Sequence, residues 1–137
     1  VVIGGGGLGL EAASELLRNG LHVTVLEAAP QIIGRQADAD SAAVLRKKMA
    51  DLGVLCLEGV QIEGITGDGR ATGVKLKSGE EFPADFVIVS CGNRANIQAA
   101  QAAGVKTERA IVVNQFMETN LPDVYACGDC ALHEGVN

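Results

Sequence analysis

An α/β fold, with a parallel sheet interrupted by an inserted three-stranded antiparallel β-meander, is the class this 137-residue sequence predicts. Three observations carry it. A short apolar run, Val1 to Ile3, ends in four consecutive glycines, passes into a helical pattern and then into a β-rich run, the order of a βαβ unit. Later, Gly67-Asp68-Gly69-Arg70 and Ser78-Gly79 separate short alternating runs, as turns between antiparallel strands do. Beyond them, Phe86-Val87-Ile88-Val89 returns to the continuous apolar character of a strand covered on both faces.

The elements follow in order. A helix is expected from about Leu8 to Asn19, with Ala12, Ala13, Leu16 and Leu17 on one side and Gly20 just past it, where a left-handed cap suits glycine. His22 to Glu27 is the second strand. Ala28 to Ala37, containing Pro30 and Gly34, is a loop. A second helix runs from about Asp40 to Leu52, its face marked by Ala42, Leu45, Met49 and Leu52 at helical spacing. Gly53 ends it, and Val54 to Glu58 is the third strand. Gln61 to Thr66, Ala71 to Lys77 and Glu80 to Phe82 form the meander. Asp85 to Ser90 is a buried parallel strand, Asn96 to Ala103 a short helix, and Ala110 to Val113 and Asp123 to Cys127 the last strands.

Composition narrows the function classes. With 17 acidic and 11 basic residues the net charge is −6, and no Lys/Arg cluster offers a surface to nucleic acid or an anionic membrane. No apolar run approaches the roughly 20 residues of a membrane-spanning helix. Glycine is the outlier, 18 of 137 residues, against a typical ~7%. The chain opens on Val1-Val2-Ile3, which reads as the middle of a buried strand, without an initiator Met or a signal segment. The expectation is a portion of a longer protein.

Gly4-x-Gly6-x-x-Gly9 matches G-x-G-x-x-G in its proper setting, with a strand before, a helix after and an acid at the end of the next strand. This predicts a Rossmann-like, three-layer dinucleotide-binding fold. Gly4 permits the tight turn, Gly6 lets the backbone approach a pyrophosphate, and Gly9 lets helix and strand pack closely. The helix N-terminus offers N–H groups and partial positive charge to the phosphates. Glu27, 18 residues beyond Gly9, is placed to accept ribose hydroxyls. A carboxylate repels a 2′-phosphate, and Ala28, Ala29 and Pro30 bring no cation, so NAD(H) is expected over NADP(H). Arg35 is the nearest cation, either reaching the adenosine or pyrophosphate or simply solvated. Glu11, expected in the first helical turn, reads on physical grounds as a surface acid favoured by the helix dipole. His22 and His133 have no ligand-like spacing, so no metal is expected.

Val1 to Glu11 (VVIGGGGLGLE), the meander, Cys91 to Asn96 (CGNRAN) and Asp123 to Asp129 (DVYACGD) occur in that order. This resembles the flavoprotein pyridine-nucleotide-disulfide oxidoreductase superfamily, in particular the rubredoxin reductase, NADH nitrite reductase and ferredoxin reductase branch, over essentially the whole chain. The resemblance implies an inserted NAD(P)H domain over residues 1–114, followed by the returning segment of a split FAD domain over 115–137. It places Gly4, Gly5, Gly6, Gly7, Leu8 and Gly9 at the pyrophosphate turn, Glu27 and Ala28 beside the adenosine ribose, and Glu11 near the nicotinamide and flavin. It also places Arg35 against the cofactor, Cys91 and Gly92 in the nicotinamide pocket, and Gly128 and Asp129 at the FAD ribityl and pyrophosphate. The family's first glycine fingerprint, for the FAD adenosine, would lie upstream. The family's Arg-Pro-Asn reads Arg94-Ala95-Asn96 here, so Ala95 is assigned no role.

Cys127-Gly128-Asp129-Cys130 is formally C-x-x-C, either a redox dithiol or small residues flanking the flavin motif. A zinc site would need two further ligands, and no second C-x-x-C or His pair exists. Cys56, between Leu55 and Leu57, reads as core. The cysteine usage fits a reducing cytoplasm. The implied function is NADH presentation to FAD, with electrons passed on to an acceptor outside this chain and no catalytic residue of its own. The chain alone would bind NADH without turnover. The alternative is a dinucleotide-sensing regulatory domain, which gives no reason for Cys91 to Asn96 or Asp123 to Asp129. A short-chain dehydrogenase is disfavoured, because the sole tyrosine, Tyr125, is followed four residues on by Asp129 and not by Lys. A methyltransferase would have no place for the meander.

Overall fold

The computed structural model describes residues 1–136, so Asn137, the last residue of the expected 115–137 segment, lies outside the described residues. The chain divides into two compact units, Val1–Gly92 and Asn93–Asn137. Within the second unit, residues 111–112 pair with residues 131–132.

In the first unit, β1 (Val2–Ile3), β2 (Thr24–Leu26), β3 (Leu55–Leu57) and β7 (Ile88–Val89) form one parallel sheet in the order β3-β2-β1-β7. Helices α1 (Gly7–Arg18) and α2 (Ala39–Asp51) connect β1 to β2 and β2 to β3. Alternation along the strands assigns the two faces. Val2 and Val25 pack with Leu10, Ala13, Met49 and the fully buried Ile32, which is the helical side. Ile3 and Leu26 pack with Val74 and Leu76, which is the side of the meander. The meander itself is β4 (Ile62–Thr66), β5 (Gly73–Leu76) and β6 (Glu81–Pro83), antiparallel in chain order. The three layers are thus helices, parallel sheet and meander, the last with the three antiparallel strands that the hairpin turns implied.

Differences from the sequence reading are local. Helix α1 starts at Gly7, so Glu11 falls beyond the first turn and not within it; the dipole argument for that acid loses its basis, since the effect fades within one turn. Leu52 is the C-cap of α2 and 47% exposed, outside the helix whose face it was expected to extend. The expected buried strand over Asp85 to Ser90 is two residues long and lies at the sheet edge, leaving Val89 61% exposed and Phe86 also outside the core. Val87 and Ile88 alone of that run pack on the core clusters.

In the second unit, α3 (Gln98–Ala102) precedes β8 (Ile111–Val112), which pairs in parallel with β9 (Ala131–Leu132). Asp123 to Cys127, expected as a strand, makes only an isolated bridge at Tyr125 to Glu118. Asp123 follows Pro122 and sits at φ +59°, so the run begins in a turn, and Val124 bonds back to the Leu121 carbonyl. The extended partner of β8 is the segment after the Gly128–Cys130 single 3-10 turn instead. Among the described residues no helix is long and apolar enough to cross a membrane.

Candidate dinucleotide site

The order β3-β2-β1-β7 reverses direction at β1: the chain steps outward from β1 to β2 to β3, then returns to the other side of β1 as β7. In open parallel sheets, ligands bind outside the carboxyl ends of the strands at such a reversal. The residues just past β1, β2 and β7 are the glycine turn, Glu27 and Ser90-Cys91-Gly92.

Packing explains most of the glycines. Gly4 adopts φ +109°, and a side-chain carbon there would collide with the Ser90 carbonyl. One at Gly9 would collide with the Gly4 carbonyl, so the helix seats directly on the turn. One at Gly5 would come within 2.7 Å of Ile32 Cγ2 and 3.1 Å of Glu27 Cβ. Gly6 and Gly7 are different: a carbon added at either meets nothing within 4 Å. The fold requires Gly4, Gly5 and Gly9, whereas Gly6 and Gly7 border open space.

That open space lies at the start of α1. Gly6 caps the helix in an extended conformation without any side-chain cap, and Leu10 N–H to Gly6 O is its first bond. The N–H groups of Gly7, Leu8 and Gly9 therefore precede the first intrahelical bond, the arrangement that receives phosphate oxygens. Leu8 is 77% exposed at this end.

Glu27 is half-buried. Its Oε2 accepts the Gly5 N–H at 2.6 Å and its Oε1 accepts the Ala29 N–H at 2.6 Å. An ionised carboxylate offers about four lone-pair positions, so these two bonds leave capacity for ribose hydroxyls. Ala28, between the two, is exposed. The loop beyond is tied back to the turn: Ile33 N–H donates to Gly5 O at 2.8 Å with Ile33 at φ +45°. Arg35 and Glu11 are exposed, Arg35 in this same loop and Glu11 on α1. Cys91 follows β7, its Sγ 3.6 Å from Ile3 O, next to Gly92.

The residues fit a dinucleotide: open backbone where a pyrophosphate would lie, unspent N–H groups, and a carboxylate one strand away. Gly4 to Gly9, Glu27, Ala28, Cys91 and Gly92 all lie past the carboxyl ends of one sheet.

Gly128 and Asp129 belong to the second unit. Asp129 Oδ2 accepts Asn93 Nδ2–H at 3.0 Å, and Gly128 lines a cavity of about 350 Å³ with Met117, Ala131, His133, Glu134 and Val136. All four cysteines are free thiols. Cys130 Sγ donates to the Cys127 carbonyl at 3.2 Å. Cys56 is half-buried against the helical-side core, and burial, with the Glu58 carboxylate adding to it, pushes its thiol up despite Arg46.

Sequence reasoning missed Ser90, whose carbonyl shapes Gly4, and Ile32 and Glu58, which secure the loop after β2. An apolar pair inside a polar loop, Ile32-Ile33, was the available signal, as was an acid ending the third strand just as Glu27 ends the second.

Comparison with known proteins agrees with this architecture. The family model for pyridine nucleotide-disulphide oxidoreductase matches residues 1–137. A nitrite reductase [NAD(P)H] of Bacillus subtilis is 41% identical over 135 residues, 98% of this chain and 17% of that protein. The rubredoxin-NAD(+) reductase of Acinetobacter baylyi is 37% identical over 133 residues, 96% of this chain and 34% of that one. The crystal structure of a ferredoxin reductase from Rhodopseudomonas palustris superposes with a TM-score of 0.92 at 37% identity, covering 97% of this chain and 33% of that one. The chain thus spans about a third or less of the length of these relatives. A turn walled by backbone at the sheet reversal, an acid one strand away and a match running from the first residue to the last make this chain a member of the pyridine nucleotide-disulphide oxidoreductase family.

Proposed function

We propose that this chain is the NADH-binding part of a flavoprotein oxidoreductase, residues 1–114 holding the nicotinamide dinucleotide and 115–137 completing a FAD domain supplied by the rest of the parent chain. The observation that carries the reading is the open space at Gly6 and Gly7, at the N-terminus of α1 and beside the half-buried carboxylate of Glu27. When both cofactors are bound, the nicotinamide supplies a hydride and the flavin takes it up. The chain's own work is to bind and orient. The first-turn N–H groups take the pyrophosphate, Glu27 takes the adenosine ribose hydroxyls, and Arg35 adds positive charge near the phosphates. Glu11, Cys91 and Gly92 line the nicotinamide end. Glu27, with Ala28 and Ala29 next to it, favours a 2′-hydroxyl over a 2′-phosphate, hence NADH over NADPH. Asp129 and Gly128 hold the FAD ribityl and pyrophosphate. Electrons leave to an acceptor docked on parts of the parent outside this chain, in the cytoplasm. A purely sensing domain leaves the Gly128-Asp129 turn and its cavity unexplained.

The test is a titration of the purified chain with NADH and with NADPH, read by nicotinamide fluorescence, beside Glu27→Ala. Saturable binding that prefers NADH and weakens in the variant supports the reading. A tighter Kd for NADPH in the unaltered chain overturns the preference, and unaltered binding in Glu27→Ala overturns the role of the acid.

A further inference from the structure

Gly5 is held on both of its backbone polar groups, one by a glutamate and the other by a loop residue whose neighbour is held by a second glutamate. Its N–H goes to Glu27 Oε2. Its carbonyl accepts the Ile33 N–H, and the position of Ile33 is fixed by its neighbour. Ile32 is fully buried, its side chain lies beneath Gly5, and its N–H donates to Glu58 Oε1 at 2.9 Å. Glu58 directly follows β3, its side chain is 15% exposed, and its other oxygen meets Arg46 Nη1 on α2 at 3.2 Å. The backbone around it is clamped to the same loop, with Gly59 N–H on Ala29 O and Val60 N–H on Glu27 O. A part-buried N–H left without an acceptor draws its segment out of place.

We propose that Glu58 is a positioning residue for the nucleotide site, setting the height of Gly5 and the course of the Glu27–Arg35 loop through Ile32 without touching the nucleotide. The inference rests on the NADH-binding reading above. Ile32 and Arg46 use different oxygens of Glu58, so the bond that places the loop is distinct from the ion pair to α2.

The experiment uses the full-length flavoprotein with FAD bound, following flavin reduction by NADH in stopped flow for Glu58→Leu, Glu58→Asp and Glu58→Gln. Leu and Asp, which remove or retract the acceptor for Ile32, raise the NADH concentration at half-saturation about 5- to 10-fold, while the limiting rate stays within about twofold. Gln keeps an acceptor oxygen in place and restores half-saturation to within about twofold of the unaltered protein. If Glu58→Leu does not fold, the contrast between Asp and Gln decides. Leu and Asp variants that saturate like the unaltered protein overturn the inference, as does a Gln variant no better than Asp. An unaltered protein whose flavin reduction shows no saturation with NADH overturns the binding reading instead.

Discussion

The Glu27 carboxylate accepts the Gly5 N–H at 2.6 Å, so the acid just past β2 is also a brace of the glycine turn. Replacing it therefore has two consequences. Glu27→Ala removes the acceptors of both Gly5 and Ala29 and lowers unfolding stability by about 1–3 kcal/mol. Glu27→Gln, which keeps one acceptor oxygen, loses less. Urea unfolding followed by circular dichroism checks this, and an Ala variant with an unchanged midpoint would show that the brace contributes nothing.

The glycines separate fold from binding. Gly9→Ala drives a methyl into the Gly4 carbonyl and costs stability on the order of 2–4 kcal/mol. Gly6→Ala meets nothing within 4 Å in the protein, so its stability stays within about 1 kcal/mol, while on the proposed reading NADH affinity falls because the methyl would enter the space assigned to the pyrophosphate. Thermal melts paired with NADH titration distinguish the two, and a Gly6→Ala chain that binds NADH normally would remove the phosphate from this turn.

The N-cap of α2 carries a pH dependence. The Ser41 N–H, 2.8 Å from Asp38 Oδ1, and then the Ser41 hydroxyl hold the Asp38 carboxyl below its ordinary range. A carboxyl held lower in the folded than in the unfolded chain stabilises fully above the unfolded value. That contribution disappears as pH falls through the unfolded and then the folded value, below about pH 4. Asp38→Ala is expected to be less stable than the unaltered chain at pH 7 and to converge with it in acid. Unfolding midpoints at both pH values measure this.

Asn93 links the C-G-N-R-A-N stretch to the proposed flavin carboxylate, Asp129. Asn93→Ala in the full-length protein is expected to raise the FAD dissociation constant about 2- to 10-fold, read from flavin retained on desalting. Retention equal to the unaltered protein would make the bond incidental.

The thiols differ in environment. Cys91 and Cys127 are exposed, whereas Cys56 is half-buried with its thiol pushed up. Labelling with a disulfide reagent at neutral pH should modify Cys91 and Cys127 first and Cys56 last, as resolved by peptide mass mapping. Early modification of Cys56 would contradict its packing.

Most of the first unit was legible because its signals are local. The glycine run, the Asp-Gly and Ser-Gly turns and the helical spacing of Ala42, Leu45 and Met49 each act within a few residues. What the sequence hid is non-local. Ser90 shapes Gly4 from the far end of β7, and Glu58 holds Ile32 across 26 positions. The strand expected at Asp123 to Cys127 failed for a different reason: β-rich composition was overruled by the turn at Pro122-Asp123, and Ala131-Leu132, a pair with no strong strand signal, pairs with β8 instead.

Both partners of strand β1 come after it in sequence, one near and one far, for Val2 pairs with both Val25 and Ile88. During synthesis from the N-terminus the first pairing can form early, but the second waits for the meander to emerge. Closing so long a loop is the slow step that low-locality parallel pairings impose. Because the Ser90 carbonyl arrives with β7, the glycine turn acquires its final shape only when that last strand docks. Any ligand that recognises the finished turn would then bind the completed unit and not its precursors, and by mass action would draw the folding of the whole sheet toward completion.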